Sequence, residues 1–220
     1  MALITYESVR NNPEICALIE AGNDVLGVIG FTDHGFAHVE LTAKSAYDIL
    51  ETMGFDARTC ELAKIAGFMH DIGNAVNRSN HAMSGALLAF DLLRTMGSET
   101  KEAIAIMTAI GNHDEGTANA VTPMCAALIL ADKSDVRRSR VRAKKQEFDI
   151  HDRVNYAVMD SSLNVLKEAG IVSLRLQIDT SICPVMDYFA IFLTRMTLCK
   201  SAAGFLGMDF ELVINETRML

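Results

Sequence analysis

The chain has 220 residues, enough for one large domain or an ordinary domain with a small second unit, and is 50% hydrophobic and 22% charged with only 3 Pro and 14 Gly, which excludes disorder, collagen-like repeats and low complexity. Its 28 acidic and 20 basic residues give a formal charge of −8, so no global positive field exists to hold nucleic acid or an anionic membrane as its main task. Five cysteines, Cys16, Cys60, Cys125, Cys183 and Cys199, are far apart with no Cys-x-x-Cys pair, and read as buried thiols of a reducing compartment.

The N-terminal stretch from Met1 to Asn12 lacks the basic-then-apolar layout of a secretory signal, so the protein is expected to begin near Met1 and to be cytoplasmic. From Phe36 the apolar positions Val39, Ala43, Ala46, Leu50 and Met53 step by three and four, which predicts a helix ending at Gly54. Asp56 caps the next helix, which carries Cys60, Leu62, Ile65, Ala66 and Met69 inward and reaches Gly73, with His70 and Asp71 in its last turn. Turn-forming residues from Asn74 to Asn80 precede a helix from about His81 to Met96. Ser98 with Glu99 and Glu102 starts a further helix, which runs out at Gly111. Thr122 followed by Pro123 opens a fifth, which is expected to pass through Leu128 and Asp132 into a polar, basic extension.

Residues 1–132 hold 17 acids and 7 bases, whereas Lys133 to Lys145 hold seven bases and one acid; this is the clearest compositional boundary in the chain. Beyond it, β-leaning runs at Val154–Met159, Ile171–Ile178 and Met208–Ile214 flank a helix over Pro184–Ala203. Asp187, Arg195 and Lys200 interrupt that helix and argue against a membrane span. The fold expected is mainly α: a helical domain over 1–145, then a small α+β unit over 146–220 with about three strands and one helix. A sheet so small leaves unpaired edges, to be covered by the helical body or by a second copy, and a homodimer is expected.

Five of the six histidines, His34, His38, His70, His81 and His113, fall within one stretch of about eighty residues, each at the start or end of a predicted helix. Helix ends are where side chains from several helices converge on one end of a bundle. Imidazole with carboxylate suits Mn, Fe, Ni, Co or Zn in open sites, with Mg as a further option, and a carboxylate can bridge two ions. His34 and His38 are four apart, so on one helix both project from one face.

The ordered set His38-Val39, His70-Asp71-Ile72-Gly73, His81-x-x-x-Gly85, His113 and Ala131-Asp132-Lys133-Ser134-Asp135 resembles the HD superfamily of metal-dependent phosphohydrolases over about Thr32 to Arg140. The resemblance implies a helical fold in which His38, His70, Asp71 and Asp132 ligate one metal and Asp71 bridges to a second held by His81 and His113, with His34 as a candidate further ligand. The spelling His-Asp-Ile-Gly is most similar to the branch containing HD-GYP cyclic-dinucleotide phosphodiesterases. Two departures stand out: Asn74 replaces the lysine that follows that motif in the branch, and Glu115-Gly116-Thr117-Ala118 stands where its Gly-Tyr-Pro segment would be.

The activity implied is hydrolysis of a small phosphorylated substrate, a phosphomonoester or phosphodiester of nucleotide type, by water activated on two ions about 3.5–4 Å apart. Asp71, Asp114 and Lys133 are the candidate catalytic residues, and Asn74, Lys133 and Arg137 the candidate substrate contacts. Two other classes share this ligand list: a di-iron oxygenase of the same fold, and a non-catalytic regulatory or dimerisation protein.

Overall fold

The computed structural model describes residues 3–144 and 147–220; the expected start at Met1, and Lys145 and Gln146 on either side of the expected domain boundary, lie outside them. Nine α-helices and four strands occur among the described residues: α1 (Tyr6–Arg10), α2 (Pro13–Val28), α3 (Phe36–Met53), α4 (Ala57–Met69), α5 (His81–Thr95), α6 (Thr100–Gly111), α7 (Pro123–Lys133), α8 (Ile150–Ala157), β1 (Val158–Leu166), β2 (Ile171–Ile178), α9 (Val185–Phe205), β3 (Asp209–Ile214) and β4 (Thr217–Arg218). The expected mainly helical body with a small C-terminal α+β portion is what forms.

Local chemistry sets the helix starts. The Asp56 side chain accepts from the backbone N–H groups of Arg58 and Thr59, and Thr122 from that of Cys125, with Pro123 as first residue of α7. Upstream of the elements read from sequence, Asn12 caps α2 by accepting from Glu14 and Ile15, again with a proline in first position. At the heart of the body α3 and α4 cross closely at Gly67, where an added Cβ would stand 2.7 Å from the Ala43 Cα. Helix α7 is buried at every position from Met124 to Ala131.

The chain corrects the sequence reading in three places. Helix α7 stops at Lys133 rather than running on: the Ser134 hydroxyl donates to the Ala131 carbonyl and the Asp135 carboxylate turns to His38, and a 3₁₀ turn over Arg138–Arg140 follows in the basic stretch. Of the run Val154–Met159 only Val158 and Met159 lie in a strand. Asp149 caps α8 by accepting from the Asp152 N–H, the helix takes Val154 and Tyr156, and β1 begins at Val158. The sheet has four strands rather than three, because Asn215 and Glu216, both at positive φ (47° and 66°), turn the chain after β3 into the short β4.

The sheet order is β1-β2-β3-β4, with β1/β2 and β3/β4 antiparallel and β2/β3 parallel across α9. Helix α9 packs on both α7 and the sheet, burying Tyr188, Phe192, Met196, Cys199 and Ala202. One hydrophobic cluster therefore runs from α3, α4 and α7 through α9 to Val172, Leu174 and Leu212 of the sheet. No helix among the described residues is long and apolar enough to cross a membrane.

Four of the five cysteines are buried and Cys16 is partly exposed, with burial pushing Cys199 up to about 12. A disulfide-exchange reagent is expected to titrate about one thiol rapidly in the native protein and the rest only after denaturation. Rapid reaction of several thiols would contradict this packing. For the α3–α4 crossing, Gly67→Ala is expected to lower unfolding free energy by about 1–3 kcal/mol in a urea titration; an unchanged midpoint would contradict the close approach.

Candidate metal centre

The centre forms where α3, α4, α5, α6 and α7 present their ends to one another. His38 projects from the first turn of α3 and His70 caps the C-terminus of α4. Asp71 follows at φ −100°, ψ 1°, and the chain enters a 3₁₀ turn over Ile72–Ala75. Glycine at the end of that motif has a steric reason: a Cβ on Gly73 would lie 2.0 Å from the His81 carbonyl oxygen and 2.5 Å from the Gly85 nitrogen. Gly73 and Gly85 thus let the 3₁₀ turn rest on α5, which brings His81 beside Asp71. His113 lies two residues beyond α6, and Asp132 in the last turn of α7.

Six side chains converge. His38 Nε2 lies 3.3 Å from His70 Nε2 and 3.3 Å from Asp132 Oδ1. His70 Nε2 stands 3.3 Å from Asp71 Oδ2 and 3.6 Å from Asp132 Oδ1. On the other side, His81 Nε2 is 3.4 Å from Asp71 Oδ1 and 3.2 Å from His113 Nε2. Three triads have ligand atoms within 4.8 Å of one another: His38 with His70 and Asp71; His70 with His113 and Asp132; and Asp71 with His81 and His113. His38, His70, Asp71, His81 and His113 are all buried.

The far side of each imidazole fixes what the near side offers. His70 Nδ1 lies 2.8 Å from the Gly67 carbonyl, His81 Nδ1 3.1 Å from that of Arg78, and His113 Nδ1 2.6 Å from that of Ile110. A carbonyl oxygen only accepts, so each Nδ1 carries a proton and each ring turns its Nε2 inward. His38 does the same through Asp135 Oδ2 at 2.7 Å. Asp135 is itself held by Arg137 and by Arg140, whose Nη1 is 3.5 Å away. Lone pairs facing lone pairs and carboxylates, largely buried, favour a cation between them. Buried Asp71 Oδ2 has no hydrogen-bond donor. Imidazole nitrogens oriented by carbonyl and carboxylate partners are the usual setting of metal-bound histidine, and this donor set fits a divalent ion.

The charges agree. Burial alone would raise Asp71 and Asp132, but His70 beside Asp71, and Lys133 beside Asp132, hold both well below the usual carboxylate range. Burial opposes charge on His70, yet the two carboxylates outweigh it and push its pKa up to about 10. An added proton on His70 has only Nε2 to occupy, so it and a divalent ion compete for one lone pair. His113 is pushed down to about 3 by burial, with His70 and Lys133 adding to it.

The centre forms the floor of a cavity of about 190 Å³. Asp71, His81, His113 and Asp132 reach its surface, and its walls carry the cations Arg78, Lys133, Arg140 and Arg195 and the acids Asp149 and Asp152. Lys133, 4% exposed, places its ammonium 2.7 Å from Asp132 Oδ2 and 3.5 Å from Glu115 Oε2. Burial would neutralise it; Asp132 and Glu115 instead hold its pKa above the ordinary lysine value. Asp114 Oδ1 sits 3.9 Å from both His81 Nε2 and the Arg78 guanidinium.

Three of the sequence expectations change. Asn74 is not on the cavity wall but fully buried, donating to Asp71 Oδ1 at 2.8 Å and to the Asp71 carbonyl at 3.0 Å, so it positions a ligand rather than touching substrate. Arg137 also stands off the wall, because its guanidinium is engaged by Asp135 and by the Ala37 carbonyl. His34 lines the cavity, but it belongs to none of the three triads among the described residues. Its Nδ1 bonds the Thr32 carbonyl at 2.7 Å, and its ring meets that of His38 edge-on at 5.3 Å. Sequence reasoning left Asp135 and Arg140 without a role and set His151 apart, yet His151 is on the cavity wall.

A model of the HD domain matches residues 35–154, more than half of the chain. The chain belongs to the HD domain family. HD domains bind divalent metals, in keeping with the clusters found here. An uncharacterized protein of Methanocaldococcus jannaschii, MJ1020, is 26% identical over 170 residues, 66% of this chain and 65% of its own length, so the chain spans just under two thirds of that relative. The crystal structure of a predicted HD superfamily hydrolase from an uncultured Thermotogales bacterium is 26% identical, covering 56% of this chain and 67% of that one, with a TM-score of 0.44.

Removing the Asn74 amide leaves Asp71 Oδ1 without its donor. Asn74→Ala is expected to weaken divalent-metal affinity of the HD centre by about 10–100-fold, measured by competition with a chromophoric chelator. Wild-type affinity in that variant would contradict the positioning role.

Proposed function

We propose that this chain is a metal-dependent phosphohydrolase acting on a small phosphomonoester or phosphodiester of nucleotide type. One observation carries the reading: the metal centre is the floor of a cavity whose wall sets Arg78, Lys133, Arg140 and Arg195 near the ligands, cations placed to meet an anionic group that enters, with Asp149 and Asp152 as the acids of the wall. Asp71 belongs to two triads, with Oδ2 toward His38 and His70 and Oδ1 toward His81, an arrangement suited to two ions sharing one carboxylate.

What divalent ions supply at such a site is Lewis acidity, which acidifies a nucleophilic water and offsets phosphoryl charge. The chain's own residues do the placing. Asn74 fixes the tilt of Asp71, and Asp135, clamped by arginines, fixes the ring of His38. Lys133 holds Asp132 from behind and presents a cation to the phosphoryl oxygens, which lowers the cost of charge developing there. Asp114, at the side of His81 beside Arg78, is the residue we assign to passing a proton to the leaving oxygen.

The test is a panel of nucleotides, cyclic dinucleotides and simple phosphate esters with the Mn-, Ni- or Fe-loaded protein. Phosphate release is expected, and Asp71→Ala is expected to lower it by more than about a hundredfold. Undiminished release in Asp71→Ala, or a product that forms only with dioxygen, would overturn the reading.

A further inference from the structure

Helix α9 lies outside the segment matched to the HD domain, yet it sets Arg195 on the cavity wall with His113, Asp132 and Lys133. The Arg195 guanidinium carbon stands 4.6 Å over the centre of the Phe192 ring, which supports the plane of the group. Its Nε lies 2.5 Å from Glu115 Oε1, and the other oxygen of that carboxylate faces Lys133 Nζ at 3.5 Å. Glu115 is therefore shared by two cations of the wall.

The contact between Arg195 and Glu115 is one of charge, not of a directed hydrogen bond. Glu115 Oε1 is buried with no aligned donor despite the short approach. The other wall arginines are tied to the protein by part of their donors: Arg140 Nε to the Asp33 carbonyl at 2.8 Å and Nη1 to the Asp135 carbonyl at 2.7 Å, and Arg78 Nη1 toward Asn74 and His81 at 3.4 Å. With Nε against Glu115, the two Nη groups of Arg195 donate to no described residue and stay available at the cavity.

We propose that Arg195 is the anion clamp of this cavity, using its two Nη groups to bind two non-reacting oxygens of the substrate's phosphoryl group, with Glu115 and Phe192 as its positioning residues. A planar guanidinium matches two phosphate oxygens at once, which an ammonium does not. The C-terminal helix is then part of the substrate site rather than an appendage to the helical body. The assignment rests on the phosphohydrolase reading, but anion binding can be measured apart from turnover.

Full-length wild type, Arg195→Ala, Arg195→Gln and Arg195→Lys are loaded with manganese, checked for metal content and melting temperature, and titrated calorimetrically with inorganic phosphate; KM and kcat follow on the best substrate of the panel. Arg195→Ala and Arg195→Gln are expected to keep the wild-type metal content and to bind phosphate at least about tenfold more weakly, with KM raised by a similar factor. Arg195→Lys is expected to fall between them and wild type, since it keeps the charge and loses the fork. A folded Arg195→Gln protein with wild-type phosphate affinity and KM overturns the clamp while leaving the hydrolase reading intact. Phosphate binding that depends on Arg195 in a protein that hydrolyses no phosphate ester supports the clamp and defeats the hydrolase reading.

Discussion

Four imidazole rings held by their Nδ1 atoms, with their Nε2 lone pairs aimed at one another and at two carboxylates, are the constraint on which this molecule turns. Each tether is a hydrogen bond to a main-chain carbonyl or to Asp135, so ring orientation is set by the backbone and not by the ligand. Without a cation the cluster is costly, because buried acceptors face acceptors. The push of His70 up to about 10 expresses that cost, since a proton there is the nearest substitute for a positive ion.

The fold serves this geometry through close approaches rather than through loops. Gly67 lets α4 press on α3, so His38 and His70 meet; Gly73 and Gly85 let the 3₁₀ turn press on α5, so Asp71 and His81 meet. Asp135 adds a tie from beyond α7 back to the start of α3, and its arginine partners complete it. Helix α9 then closes one side of the cavity while sharing a single core with α7 and the sheet. Candidate metal ligands, cavity wall and hydrophobic core thus form one continuous packing problem.

The periodic helices were readable because their evidence is local: the steps of three and four after Phe36, the Asp56 cap, and the Thr122-Pro123 pair all describe a few neighbouring residues. Strand β2 is readable from end to end for the same reason, through its alternation of Val172, Leu174, Leu176 and Ile178. Val154 to Met159 misled because β-branched and aromatic residues followed a cap, Asp149, whose bond to Asp152 decides for helix. The six ligand positions were visible as an ordered motif. The parts that failed depend on distant partners: Asn74 turns inward because Asp71 needs a donor, and Arg137 turns away because Asp135 needs a counter-ion. Arg195 read as a charge interrupting an apolar helix, since nothing near it in sequence discloses Glu115 eighty residues earlier.

The central claim is that His38, His70, His81 and His113 all present Nε2 to bound metal, and nitrogen-15 NMR of the zinc-loaded protein examines it most directly. The account predicts that all four rings carry their proton on Nδ1 and that their Nε2 resonances shift to metal-coordinated values when zinc is added. Rings protonated on Nε2, or Nε2 resonances unmoved by saturating zinc, would contradict it.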